Sequence, residues 1–453
     1  MLQELSLNMS MTENSEIGLA EKLKSECFPN GKEKNPKVSA KILHHLALLY
    51  KSKSSEKHSL IQSVALLTSA ILRHPDNVKE IQADLDETCS FILKLANATS
   101  EAMSLDTHVE KLKERISTFR QTTEQAIDVL TPIPDYCKGE MLREARNKKV
   151  KEVSMIGQMV AEMYADLMRD ISDCCEELLG NPPCKFSLVG MGSLARQEVT
   201  PYSDFESIIV LEEGVQLMER YESVLDYFRW FATLFQILLV RLGETPLRFL
   251  TIPCLNHPTD PNRSWFYDAY TPCGIRPDGF APAASKNPLG RKATSKKPSS
   301  VELIKPISEM VKYLNSDEDL KNGYHLADVL TKTCFVSGCG QVYKSFSQAV
   351  DEVMYNKTPN EYESGRFFND IQSNLRNFGL FLKLGNSEWS ETLDVKRLLY
   401  RSCTLFVSAL GKWYGVREAS CLEILEKLME SEVLTRDRCD QMKLSVAIAC
   451  EVR

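Results

Sequence analysis

The most constraining stretch of this 453-residue chain is KFSLVGMGSLARQEVTPYSDFESIIVLE, residues 185–212. Phe186, Leu188 and Val189 read as a strand leading into Gly190-Met191-Gly192-Ser193. Eleven positions after Ser193 comes Asp204, then Glu206, then the apolar run Ile208-Ile209-Val210-Leu211, a second strand. Strand side chains alternate faces with a period of two. Asp204 and Glu206 therefore point to one face and Phe205 to the other. Two carboxylates held close together repel, and a divalent cation relieves the repulsion. Hard oxygen donors suit Mg2+, with Mn2+ as the alternative. The Gly192-Ser193 turn offers N–H groups and a hydroxyl to phosphate oxygens, with no Cβ in the way at Gly192.

Strand, Gly-Ser, spacer, Asp-x-Glu and strand together resemble the nucleotidyltransferase superfamily related to DNA polymerase beta. The fuller string GSLARQEVTPYSDFE is similar to the nucleotidyltransferases allied to the N-terminal domain of bacterial protein-PII uridylyltransferase. In that family a Gly-Ser, a nearby Arg, a Glu and a Ser/Thr-Asp-x-Asp/Glu recur in this order. Here they are Gly192, Ser193, Arg196, Glu198, Ser203, Asp204 and Glu206. The resemblance implies transfer of a nucleoside monophosphate, uridylyl or adenylyl, from a nucleoside triphosphate to a protein or small-molecule hydroxyl. It implies Asp204 and Glu206 as ligands of Mg2+, and Gly192, Ser193 and Ser203 against the nucleotide. Arg196 would bind the nucleotide and neutralise developing charge, while Glu198 is expected to pair with Arg196. The phosphohydrolase and sensor patterns of the PII-modifying enzymes are not recognisable, so their reverse reaction is not expected.

The composition is that of an ordinary globular chain, 43% apolar and 26% charged. A net charge of −7 argues against a broad nucleic-acid footprint, which needs a basic face. The start, MLQELSLNMSMTENSE, lacks the basic and apolar segments of a secretory signal. No run of ~20 consecutive apolar residues suggests a membrane span. The 14 cysteines show no metal-ligand spacing and read as reduced thiols of a cytoplasmic protein.

The predicted fold class is α+β and predominantly helical: a small mixed sheet between N-terminal helices and a C-terminal helical bundle. Residues 1–36 read as a disordered leader with a helical turn at 17–24. Residues 37–149 read as helical, with the 40–77 pair resembling one tetratricopeptide-type hairpin. Residues 150–300 carry the nucleotidyltransferase-like unit. A helix over 150–179 bears Met155, Met159 and Met163 at four-residue spacing, expected to be core. Another helix is expected over 215–242, and PLRFLTIP, 246–253, alternates like a third strand. From 301 to 453 the pattern is helical throughout. Residues 394–416 resemble the C-terminal helical domain of the bacterial relatives. The chain stops inside a helical pattern, as a fragment or short isoform of something longer would.

In the superfamily the third strand usually carries a third carboxylate. Here Glu244 precedes that segment and Arg248 lies within it. The long Pro/Gly-rich segment 254–300, which resembles the metazoan relatives, offers Asp278 first and Asp268 second as a late-arriving acid. It also offers Arg276, Lys286, Arg291, Lys292, Lys296 and Lys297 to a triphosphate. Expected partners are a nucleoside triphosphate and a protein acceptor or helical-region partner, with neither membrane nor nucleic acid. Glu in place of Asp at the second metal position and the missing strand carboxylate favour the rival reading, an inactive scaffold of the same fold. A nucleotide or RNA sensor is a third class.

Overall fold

The computed structural model describes residues 15–53, 55–74, 78–98, 102–257, 260–278, 286–290, 300–315, 326–355 and 395–453. It is α+β and predominantly helical, with a small mixed four-stranded sheet in the middle. The N-terminal helices are α1 (Glu16–Cys27), α2 (Pro36–Ser52), α3 (Lys57–Arg73), α4 (Val78–Leu95) and α5 (Ala102–Asp128). Residues 16–31, expected within a disordered leader with a helical turn at 17–24, form the longer helix α1 and a 3-10 turn. Ser15 caps α1 through Gly18 N–H, and Leu19, Leu23 and Cys27 enter the core. Residues 1–14 lie outside the described residues. The hairpin of α2 and α3 packs onto the body, where Gln62 donates to the carbonyls of Leu250 and Thr251.

Helix α6 (Gly139–Leu179) follows the proline break and spans about 60 Å. It begins eleven residues before the expected start and ends at Gly180, whose φ of 82° fits glycine. Its methionine stripe is only partly core: Met159 and Met163 pack against it, but Met155 is exposed.

Strand β1 (Phe186–Met191) pairs antiparallel with β3 (Ser207–Leu211), Phe186 opposite Leu211 and Gly190 opposite Ser207. The two strands foreseen from the sequence are therefore present and paired. Between them β2 (Asp204–Phe205) turns away to pair in parallel with β4 (Arg276–Pro277). Helix α7 (Tyr221–Arg241) crosses the sheet after a short 3-10 turn at Val215–Leu217. By length and composition α7 could cross a membrane, yet 78% of its most apolar window is buried inside the protein.

The rest of the sheet departs from expectation. Residues 246–253 form no strand: Leu247–Leu250 is a 3-10 turn with Leu247 and Leu250 buried. The partners come later, from segments expected to be helical. β5 (Ile304–Pro306) pairs in parallel with β3, and β6 (Thr333–Gly338) antiparallel with β1, giving the order β5-β3-β1-β6. Both faces are covered. Phe186, Leu188, Ile209 and Leu211 face the main core with α7. Val189, Met191, Ile208 and Val210 face a second core with Met310, Leu314 and the Phe346 of α8 (Gly340–Tyr355). Each such side chain contributes roughly 1.5–3 kcal/mol by leaving water. This rigid double-sided burial fixes where residues 192–206 emerge.

At the C-terminal end a π-helical turn, Lys396–Tyr400, runs into α9 (Arg401–Trp413), followed by α10 (Cys421–Glu430) and α11 (Arg436–Glu451). These form their own small core around Val407, Ile424, Leu425 and Leu428. The helix expected over 361–384 lies outside the described residues.

Candidate functional site

The site is built where β1 ends. Gly192 opens a one-turn helix, Gly192–Ala195, with φ +63°, and its missing Cβ is occupied. A Cβ there would lie 1.8 Å from Glu206 Oε2. Glycine is thus required both by backbone conformation and by the carboxylate packed over it. Ser193 is half-buried, and its carbonyl accepts from Glu198 N–H at 2.8 Å.

Asp204 sits 3.8 Å from Arg276 and 3.7 Å from Lys396 Nζ. Burial works against its charge, but Lys396, Arg276 and Arg453 outweigh burial and hold its carboxyl below the ordinary 3.8. Lys396 is depressed from its ordinary 10.5 because burial outweighs the attraction of Asp204. Glu206 takes Lys286 Nζ at 3.1 Å. Lys286 is raised: burial opposes its charge, but Glu206 and Asp278 overcome it.

The parallel register sets Arg276 beside Asp204 and Pro277 beside Phe205. Asp278 N–H donates to the Phe205 carbonyl at 3.0 Å, which carries Asp278 to the position beside Glu206. The first candidate for a late acid therefore stands beside Glu206 in the backbone register, buried and within the field of Lys286. Asp268 is not. It is buried against Arg73 at 2.7 Å and accepts from the N–H groups of Leu247, Tyr270 and Thr271, a structural anchor. Arg248 lies in the 3-10 turn with its guanidinium over Phe249, and Glu244 pairs with Arg120. Neither belongs to the site.

Arg196 pairs with Glu198 at 2.9 Å, as expected, and also reaches the Tyr400 hydroxyl at 3.3 Å. Its charge is felt by Lys286. Ser203 is turned inward: its Oγ accepts from Thr200 N–H at 3.0 Å and from Arg453 at 3.3 Å. Ser203 therefore shapes the turn before Asp204 and presents no free hydroxyl. Arg276 stacks on Phe249, 4.2 Å from the ring centre, which aims it at Asp204. Arg291, Lys292, Lys296 and Lys297 lie outside the described residues. Sequence reasoning missed Lys396, Tyr400 and Arg453. Lys396 sits in the segment that resembled the C-terminal domain, but nothing local marks it as reaching Asp204, 192 positions away.

Among the described residues no three His, Cys, Asp or Glu side chains converge as a ready-made metal cage. Mg2+ is usually held by one or two carboxylates completed by substrate phosphates and water. Asp204 and Glu206 fit that mode, while the space a Cβ would take at Gly192 is filled by the Glu206 carboxylate itself. Three cations, Arg276, Lys286 and Lys396, stand around them.

Residues 139–247 match the family described as "Putative nucleotidyltransferase DUF294". That segment holds β1, the Gly192 turn, both strand carboxylates and α7, so it is this part of the chain that is similar to the family. No curated protein matches the chain.

Proposed function

We propose that the protein transfers a nucleoside monophosphate from a nucleoside triphosphate to a hydroxyl of a protein or small molecule, in the manner of the protein-PII uridylyltransferases. The observation that carries this reading is the pair Asp204 and Glu206 beside the Gly192 turn, ringed by Arg276, Lys286 and Lys396. Asp204 and Glu206 would hold Mg2+, which when bound offsets phosphate charge. Lys286 and Lys396, released from the carboxylates, would turn to the phosphate oxygens, and Arg276 would steady the α-phosphate. Asp278 would accept the proton of the acceptor hydroxyl. The acceptor oxygen then bonds to the α-phosphorus, the bond to the β-phosphate oxygen breaks, and pyrophosphate leaves with its electron pair. The fourteen cysteines, all unpaired, suit a reducing cytoplasm.

The test is incubation with α-phosphate-labelled nucleotides, Mg2+ or Mn2+, and cell lysate. Label transfer should fall by on the order of 10³-fold in Asp204→Asn, several kcal/mol of transition-state stabilisation. Asp278→Asn should lose roughly 10²–10⁴-fold while still binding nucleotide. The direct Lys286–Glu206 pair favours a second reading, a scaffold whose own cations have replaced the metal. Absence of transfer with all four nucleotides and both metals would select it.

A further inference from the structure

Of the three cations at the carboxylates, Lys286 makes the closest contact. Its Nζ lies 3.1 Å from Glu206 Oε1, a hydrogen-bonded ion pair. Arg276 and Lys396 stand 3.8 and 3.7 Å from Asp204 Oδ1, beyond hydrogen-bond reach. The other Glu206 oxygen, Oε2, fills the place of a Cβ over Gly192. Both oxygens of Glu206 therefore have neighbours.

Lys286 is not a surface lysine settled on the nearest acid. Its carbonyl accepts from Ser207 N–H at 3.0 Å, which fixes its backbone to the first residue of β3, directly after Glu206. The next residue, Asn287, is buried, and its side-chain amide donates to the Asp278 carbonyl at 3.4 Å. The Pro288 carbonyl accepts from Leu303 N–H at 3.0 Å. With the backbone held in this way, the freedom left to Lys286 is the swing of its four-carbon stem.

Charge gives that swing a consequence. Asp204, Glu206 and Asp278 carry three negative charges, and Arg276, Lys286 and Lys396 carry three positive ones. A divalent cation arriving by itself meets no net negative charge there, and it has to displace an ammonium group from Glu206. A phosphate chain changes the balance. The ammonium can then leave a carboxylate for a phosphate oxygen without losing a charged partner.

We propose that Lys286 is a built-in competitor for the divalent cation at Glu206, and that it yields the carboxylate only when a phosphate chain takes its ammonium group. Metal and phosphate chain then bind together, and the metal alone binds poorly. The inference rests on the reading of Asp204 and Glu206 as the metal-holding pair, and it is independent of what is transferred.

The probes are free Mn2+ and the preformed Mn2+–tripolyphosphate complex, each titrated into the full chain and followed by water proton relaxation. Lys286→Met should bind free Mn2+ at least about fivefold more tightly than wild type, and the complex at least about fivefold more weakly. The reversal of sign is the signature: damage to the fold would weaken both, and loss of a bystander charge would strengthen both for Mn2+. Lys305→Met, which removes a lysine paired with Glu309 instead, should leave both affinities unchanged. Adding Asp204→Asn to Lys286→Met should abolish the gain for free Mn2+. Equal affinity of wild type and Lys286→Met for free Mn2+, a gain for both probes, or a gain that survives Asp204→Asn overturns the proposal and leaves Mn2+ binding itself demonstrated. Absence of binding of either probe to either protein overturns the metal-holding reading as well.

Discussion

A single missing methyl group decides the geometry at Gly192. Its Cα faces Glu206 Oε2 where a Cβ would stand, at a φ that alanine adopts only under strain. Gly192→Ala should cost about 1–3 kcal/mol in urea unfolding and displace Glu206 from its place. Asp204 offers a charge test. Burial raises its carboxyl pKa while Lys396, Arg276 and Arg453 lower it below 3.8, and the cations prevail. A depressed carboxyl contributes stability that is present above its unfolded value and lost as pH falls through its folded value. Lys396→Met removes the leading cation and should raise the Asp204 pKa, moving that loss to higher pH. Carbon-detected NMR titration of the Asp204 carboxyl reads the shift directly, and an unmoved value would mean that Lys396 does not face it in solution. The two carboxylates and their turn were the most legible, because Gly192, Asp204 and Glu206 are placed together by a short local pattern. Lys396 was not, because a lysine on a helix carries no mark of what it reaches.

Among elements, the segment 246–253 shows how an apolar pattern can carry two periods. Leu247 and Leu250 are three apart and both buried, while Phe249 and Thr251 supply the alternation that reads as a strand. The outcome was settled elsewhere: Gln62 on α3 takes the Leu250 and Thr251 carbonyls, which a strand would have offered to a neighbour. The missed β6 had a local signal in Thr333, Phe335 and Val336 before Gly338, the β-branched and aromatic residues that favour strands. The three-residue β5 had too little length for one. The loop holding Asp268 is tied to the N-terminal helices by a fully buried ion pair with Arg73, which Glu33 also meets at 2.9 Å. Asp268→Ala should cost about 3–5 kcal/mol in chemical denaturation, because it strands part of a buried guanidinium and three backbone N–H groups. The double change Arg73→Met with Asp268→Leu should recover some of that loss. Equal stability of the single variant and wild type would show that Glu33 alone satisfies Arg73.

At the scale of the molecule, the described C-terminal helices α9, α10 and α11 close on a core of their own, while one continuous core runs from α1 to β6. Cooperative units of this kind open at different free energies. Amides of α9–α11 should therefore exchange with solvent at lower free energy than those of β1 and α7. Uniform protection across both groups would contradict this. The class of the fold was legible in the sequence because helix periodicity is local. The strand order was not, because it joins segments that share no local pattern. That order has a consequence for the chain as it is made. β1 and β3 can pair as soon as both have left the ribosome, but the other side of β1 is completed only by β6, which begins at Thr333. At about 5–20 residues per second, the ~140 residues between Met191 and Thr333 take roughly 7–28 s to synthesise. Throughout that interval the nascent sheet presents an unpaired edge on a largely apolar strand, the kind of surface on which chains associate with one another or with chaperones.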